Sequence, residues 1–466
     1  MQTVAPGADG PTRGLPQRPE TAGLRVIGAW VVILLLAFGW TGLSSLRHPD
    51  DAPTSGSAPS HVSPESELGG RMMHNLVSWA KGSEYDQMMR KKASEGADPG
   101  DSATWIDRLA YAVLVAELDS PAEGLAKLEP LDPSAKGNDA DNVLYATVKD
   151  SLQAWSQGEK RTVLPAAEAE RLGWYANVLN DTVPPSNAAV VLITAVLWYG
   201  GFGLVGVLAL LTLPILLLLG KILPKVESSG RGAVYAETFA VWFLLFLSFQ
   251  LGPAVVLQFL GLTGGMLYVA FVGMFASLVA LAWPVLRGVP WSEVRRDIGL
   301  HAGRGAFVEI LFGPLVYAWS LPLMAIGLVM YTWIRKHLLA GSAPPSHPIV
   351  EQFGGGASAM VPVVLLACVA APIVEEIAFR GILYRHLRES RPLVGTALSI
   401  LIAAGISSTL FAAIHPQGLA FVPVLAGLAT GFCIAREVRG SLLPGMVAHA
   451  ITNAATVSLG FFLFQN

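Results

Sequence analysis

Apolar residues along this chain gather into runs of about twenty or more, far broader than the narrow stripe of a helix packed in water. Nine such runs stand out, over 24–46, 188–220, 233–260, 264–286, 305–334, 357–379, 393–415, 417–435 and 441–464. At about 1.5 Å per residue, some twenty residues cross a hydrocarbon layer of about 30 Å. Each run therefore predicts a membrane-spanning helix, and the long 188–220 run predicts one that tilts or kinks. Between the first run and the second the pattern changes. Trp105, Leu109, Val113 and Ala116 recur at helical spacing within Trp105–Leu118, and Val143–Trp155 shows the same period. A small water-soluble helical domain is expected over 47–187. The fold class is thus all-α: a polytopic transmembrane bundle with an extracytoplasmic helical insert after the first span.

Composition agrees with that reading. Of 466 residues, 53% are hydrophobic and 14% charged, against about 25% charged in soluble proteins. The mean hydropathy is +0.51. Between Arg47 and Asn187 there are 13 Lys/Arg against 22 Asp/Glu, a net of −9, whereas the remainder holds 18 against 12, a net of +6. An acidic soluble insert therefore interrupts a basic membrane protein, and nothing in this balance suggests a nucleic-acid partner. Residues 1–23 are rich in Pro and Gly and read as a disordered tail. Leu24–Leu46 reads as an uncleaved anchor, because its apolar core is long and no small-x-small site follows. The remaining chain divides into transmembrane helices over 188–334 and a C-terminal core over 357–464.

Loop charges orient the spans. With the N-terminus and its Arg13 and Arg18 in the cytoplasm of a plasma-membrane protein, the acidic insert lies outside. Lys221, Lys225, Arg231, Arg287, Arg295, Arg296, Arg304, Arg385, Arg388, Arg391, Arg436 and Arg439 then fall inside, with Arg335 and Lys336 the exceptions. The two cysteines, Cys368 and Cys433, lie in apolar runs and argue against a disulfide framework or a cysteine zinc site.

A charge inside a membrane helix costs about 2.5–3.5 kcal/mol on insertion scales, so each one needs a reason. Glu237 and Glu309 fall within the first turns of their spans and read as interfacial. The strongest polar intrusion is Ala371-Pro-Ile-Val-Glu375-Glu376-Ile-Ala-Phe-Arg380. Adjacent carboxylates on a helix point about 100° apart and cannot share one role. Glu376 and Arg380 stand at i, i+4 with the acid first, the favoured order for an ion pair. Glu375 then faces elsewhere, in a low-dielectric setting suited to a general base. Pro372 frees a carbonyl one turn earlier. Taken alone, the segment reads equally well as the end of a span, with Arg385, Arg388 and Glu389 beyond it.

Two further pieces follow. Phe411-Ala-Ala-Ile-His415 places an imidazole at a helix end, and His449-Ala-Ile-Thr-Asn453 places two polar side chains on one helix face. By these spans His415 lies at the outer face and His449 nearer the inner one, so their meeting requires a tilted span or a helix that stops short. Together the pieces supply the inventory for activating water and stabilising an oxyanion. They equally compose a metal site of Glu375, His415 and His449, with zinc the candidate ion.

The order Glu-Glu-x-x-x-Arg, Phe-x-x-x-His, His-x-x-x-Asn resembles the CAAX protease and bacteriocin-processing family of intramembrane endopeptidases, which includes the type II CAAX prenyl endopeptidase. Phe379-Arg380-Gly381 and Gly440-Ser441-Leu442 are similar to that family as well, and the likeness covers roughly 357–459. It implies that Glu375 activates the hydrolytic water, with His415 assisting it or holding a metal. It implies that His449 and Asn453 complete the site, by binding metal or steadying the oxyanion, and that Glu376 and Arg380 are structural or substrate-orienting. A metalloprotease and a glutamate-dependent enzyme both remain open, as does zinc. The implied partners are the lipid bilayer and a membrane-associated protein or peptide substrate. Two competing readings are a non-enzymatic immunity or scaffold protein of the same fold and a proton-coupled transporter.

Overall fold

The computed structural model describes residues 19–46, 61–100, 103–133, 138–159, 163–183, 188–227, 229–259, 265–339, 352–353, 356–389 and 396–465. Residues 1–18 and 47–60, which include most of the tail expected to be disordered, lie outside them. Every regular element among the described residues is helical. Among the described residues, nine helices are long and apolar enough to span a membrane: Gly23–Thr41, Ile193–Leu218, Gly232–Pro253, Met266–Leu286, Ala306–His337, Ser358–Glu389, Thr396–Ala413, Leu419–Arg439 and Leu443–Phe462. The nine expected spans are all present. Their largest shift is in the sixth, which runs ten residues beyond the expected end at 379.

The first span belongs to α1 (Pro19–Leu46). The acidic segment that follows builds seven helices: α2 (Pro64–Ala80), α3 (Asp86–Gly96), α4 (Trp105–Leu118), α5 (Pro121–Leu128), α6 (Asp139–Ser156), α7 (Ala166–Leu172) and α8 (Trp174–Leu179). Their starts are written locally. Ser63, Thr104, Ser120 and Asn138 each accept a backbone N–H three residues on, and Pro64 and Pro121 occupy the first helical positions after Ser63 and Ser120. α4 is the core of this domain, with Leu109, Ala110, Val113 and Leu114 sealed among Leu144, Val148, Leu152, Trp174 and Val178 of the surrounding helices. The domain leans on the bundle through α2, whose Leu68 packs with Phe353, Met360, Val363, Val457 and Phe461.

The bundle continues with α9 (Ala188–Leu218), α10 (Gly232–Phe259), α11 (Met266–Ser277) and α12 (Ala282–Leu286), the last two halves of one span. The short α13 (Trp291–Ile298) then leads to α14 (Ala306–His337). The sixth span opens as α15 (Gly356–Val364), passes through a π-helical stretch Leu365–Ala370, resumes as α16 (Ala371–Glu375), widens again to a π-helix over Glu376–Leu383, and ends as α17 (Tyr384–Glu389). The chain closes with α18 (Thr396–Ala413), α19 (Val422–Arg439) and α20 (Leu443–Gln465).

Two interiors hold the bundle. One is aromatic. Phe379 of the sixth span packs edge-on against Phe239 and Trp242 of α10 at 5.3 and 5.6 Å, and against Phe411 of α18 at 5.2 Å. The other depends on small residues. A side chain at Gly327 of α14 would strike the main chain of Pro423, and one at Gly427 of α19 would strike that of Leu323. Their absence lets α14 and α19 meet backbone to backbone, as packing in lipid rewards.

Glu237 and Glu309 sit near the ends of their spans as expected, yet neither relies on water. Glu309 is fully buried and receives two bonds from Arg439, at 2.9 and 2.7 Å, and another from the Arg304 N–H. Glu237 lies between Arg25 and Arg287 and accepts the Trp283 indole N–H.

Candidate active site

The sixth span carries the two carboxylates at its centre, Glu375 ending the α-helical turn between its π-helical stretches and Glu376 opening the second of them. Such widened turns add a residue to the helix circuit and recur at functional sites. The cause of the first stretch is legible. In the π register the Ala371 N–H reaches the Leu366 carbonyl, five residues back. The next donor in that series would be Pro372, which has none, so the carbonyl of Ala367 is left over. Asn453 of α20 supplies the missing donor, its Nδ2 standing 2.6 Å from Ala367 O. One of the two amide hydrogens of Asn453 is thereby committed to the main chain of the site helix.

Glu376 and Arg380 form the expected pair, Oε1 to Nη1 at 2.9 Å, with both side chains 1% exposed. The guanidinium lies between two aromatic rings, 4.5 Å from the centroid of Phe411 and 5.2 Å from that of Phe432. This arrangement is attractive for a cation removed from water. The Glu376 carboxylate rests against α20 where Gly445 leaves room, since a Cβ there would come within 2.9 Å of Oε2.

His449, one turn beyond Gly445, stands between the two acids. Its Nδ1 is 3.3 Å from Glu376 Oε1 and its Nε2 is 3.8 Å from Glu375 Oε2. Phe432 stacks on the imidazole at 5.5 Å and Phe411 meets it edge-on at 6.0 Å. Glu375 keeps 14% of its side chain exposed, against 1% for its neighbour. The two acids thus differ as the sequence suggested: one sealed and paired, the other open on one side. Glu375 Oε2 has no hydrogen-bond partner among the described residues.

His415 follows the end of α18. Its Nδ1 lies 2.6 Å from the carbonyl of Phe411, so Nδ1 carries the proton and Nε2 the lone pair. Its ring lies 4.4 Å from that of Phe411. Phe411 therefore touches both imidazoles, which are at most about 10 Å apart. α18 ends at Ala413, two residues before His415. Trp40 of α1 fixes the same corner, its indole N–H donating to the Ile414 carbonyl at 2.6 Å.

No three His, Cys, Asp or Glu side chains among the described residues converge closely enough to hold a metal ion. The expected ligand set of Glu375, His415 and His449 is not gathered into one sphere.

Phe432 and Gly445 belong to the site although no sequence motif marked them. Gly445 had one signal, its position four residues before His449 on the same helix face. Phe432 had none, because its ring reaches His449 and Arg380 only through the packing of α19.

Fold and site together define a polytopic membrane protein with a carboxylate–imidazole centre buried in its C-terminal helices. Residues 357–455 match the family model described as "Type II CAAX prenyl endopeptidase Rce1-like", and this part of the chain is a member of the CAAX protease and bacteriocin-processing family. No curated protein and no solved structure matches the chain.

Proposed function

We propose that the protein is an intramembrane endopeptidase in which Glu375 activates the water that cleaves the peptide bond. The observation that carries this reading is the placement of His449 Nε2 3.8 Å from Glu375 Oε2, beside a second acid already neutralised by Arg380. In the reacting complex one water would bridge the two atoms, about 2.8 Å from each. Glu375 takes one water proton as the oxygen attacks the scissile carbonyl carbon, and passes it to the leaving amine as the C–N bond breaks. Glu376 beside Nδ1 orients the His449 ring so that Nε2 faces the reaction. The remaining N–H of Asn453 serves the developing oxyanion.

The substrates are membrane-associated proteins or peptides, and CAAX-type processing follows from the family description. The membrane is the plasma membrane, with the N-terminus cytoplasmic and the acidic domain outside. The concentration of arginines at the bundle end far from that domain supports this orientation.

The test is a peptidase assay in liposomes with wild type, Glu375→Gln and His449→Ala, each with and without chelator. Cleavage by the wild type and its loss in Glu375→Gln are expected. Retained cleavage by Glu375→Gln rejects the base assignment. Loss on chelation with recovery on added zinc would instead give Glu375 and His449 the role of ligands.

A further inference from the structure

The end of the bundle far from the acidic domain is crowded with charge, and the structure sorts its cations into two sets. The first is locked. Arg231 bonds Glu293 at 2.6 Å and Asp297 at 2.7 Å, Arg385 bonds Glu389 at 2.8 Å, Arg388 pairs with Glu437, and Arg439 with Glu309. Arg25 and Arg287 share Glu237. Arg436 is buried and donates to the main-chain carbonyls of Asp297 and Gly440. These pairs use the acids of six positions: Glu237, Glu293, Asp297, Glu309, Glu389 and Glu437.

The second set is open. Lys221, Lys225, Arg295, Arg296 and Arg304 are exposed, with no ion pair among the described residues. Against these five cations the same loops leave one exposed acid without an ion pair, Glu227.

The open cations are held near one another. The Lys225 N–H donates to Glu437 O at 2.7 Å, the Leu442 N–H to Gly299 O at 3.0 Å, and the Ser441 hydroxyl to His301 O at 2.7 Å. Two loops, between α9 and α10 and between α13 and α14, are thereby tied to the end of α19 and the turn that follows it. Gly299 and Gly440 close that junction with positive φ of 82° and 75°, and a Cβ on Gly299 would meet Gly440 O at 2.8 Å.

The surroundings are those of a membrane surface. α13 begins five residues after the end of the fourth span at Leu286. It turns Val294, Asp297 and Ile298 inward and Trp291, Arg295 and Arg296 outward. Leu286 and Phe307, 77% and 72% exposed, flank it on the adjoining spans. An aromatic residue and two arginines on one short face suit the level of lipid headgroups.

We propose that Lys221, Lys225, Arg295, Arg296 and Arg304 form a collar that binds anionic phospholipid headgroups. The charge is fixed by loops laced to the α19–α20 turn, and the acids that would neutralise it are engaged in ion pairs with the first set. The proposal is independent of the proteolytic reading, because its readout is binding. Full-length protein in neutral detergent is titrated with phosphatidylglycerol or phosphatidylcholine, and bound lipid is counted by native mass spectrometry. The wild type is expected to retain phosphatidylglycerol selectively and to lose it in about 1 M salt. Arg295→Gln/Arg296→Gln/Arg304→Gln is expected to bind phosphatidylglycerol about 100-fold more weakly, about fivefold per cation. The corresponding triple lysine variant is expected to stay within a few-fold of wild type. Equal retention of both lipids by the wild type, or undiminished binding by the glutamine variant, overturns the proposal. So does displacement of the lipid by inorganic phosphate at equal headgroup concentration.

Discussion

Glu376 and Arg380 meet at 2.9 Å, one turn apart on the same helix, with 1% of either side chain exposed. Removing one partner of so buried a pair leaves an uncompensated charge and costs about 3–5 kcal/mol, whereas replacing both with apolar groups of similar size costs far less. Glu376→Gln and Arg380→Gln should each lower the thermal unfolding midpoint in detergent sharply. Glu376→Leu combined with Arg380→Met should recover much of the loss. Single variants as stable as the wild type would show that the pair does not hold the site helix.

Asn453 supplies the donor that Pro372 lacks, through its bond to Ala367 O at 2.6 Å. In Asn453→Leu that carbonyl is left without a partner inside the bundle, at a cost of about 1–3 kcal/mol. Pro372→Ala in the same chain restores a backbone N–H and should recover part of the stability. The double variant should unfold later than Asn453→Leu alone. Additive losses would mean that the two residues do not serve the same carbonyl.

Close approach of α14 and α19 depends on Gly327, Gly427 and Gly431, where an added Cβ would collide with Pro423, Leu323 and Ser320. Gly427→Val should destabilise the bundle by more than about 2 kcal/mol, because the clash is with backbone rather than a flexible side chain. Gly405 of α18 has nothing within 4 Å of such a Cβ and provides the control. Gly405→Ala should be neutral or slightly stabilising. Equal unfolding midpoints for the two variants would remove the packing argument.

His74, in the acidic domain, has its pKa lowered, first by burial and then by Arg90 and Lys81. A histidine held below its unfolded value of 6.5 contributes stability that is present above that value and lost as pH falls toward the folded one. Its ring lies 5.5 Å from that of Trp174, one of the chain's 12 tryptophans. Thermal unfolding followed by fluorescence should move to lower temperature between pH 7 and about pH 5, and His74→Gln should flatten that dependence. An unchanged pH slope in the variant would clear His74 of the effect.

Architecture was largely legible in the linear chain. Spans follow from runs of apolar residues, a property summed along a segment without reference to its neighbours, and all nine were found within a few residues of their ends except the sixth. There the charges of Glu375, Glu376 and Arg380 mimic the edge of a membrane, although the helix continues to Glu389. The i, i+4 spacing also disclosed the Glu376–Arg380 pair, because both partners sit on one helix. What spacing could not disclose was any contact set by how helices rotate against each other. Phe432 reaches His449 across a helix boundary, and Glu309 meets Arg439 across 130 positions.

Hydropathy and local periodicity, written residue by residue, determined that this is a helical membrane protein with a polar centre near its C-terminus. Only the packed structure decided which acid is sealed, which imidazole faces the other acid, and which arginines remain available to the surface. Those outcomes depend on the angle and depth at which separate helices meet. Side-chain shape and desolvation settle that angle jointly, across distances the chain order does not encode.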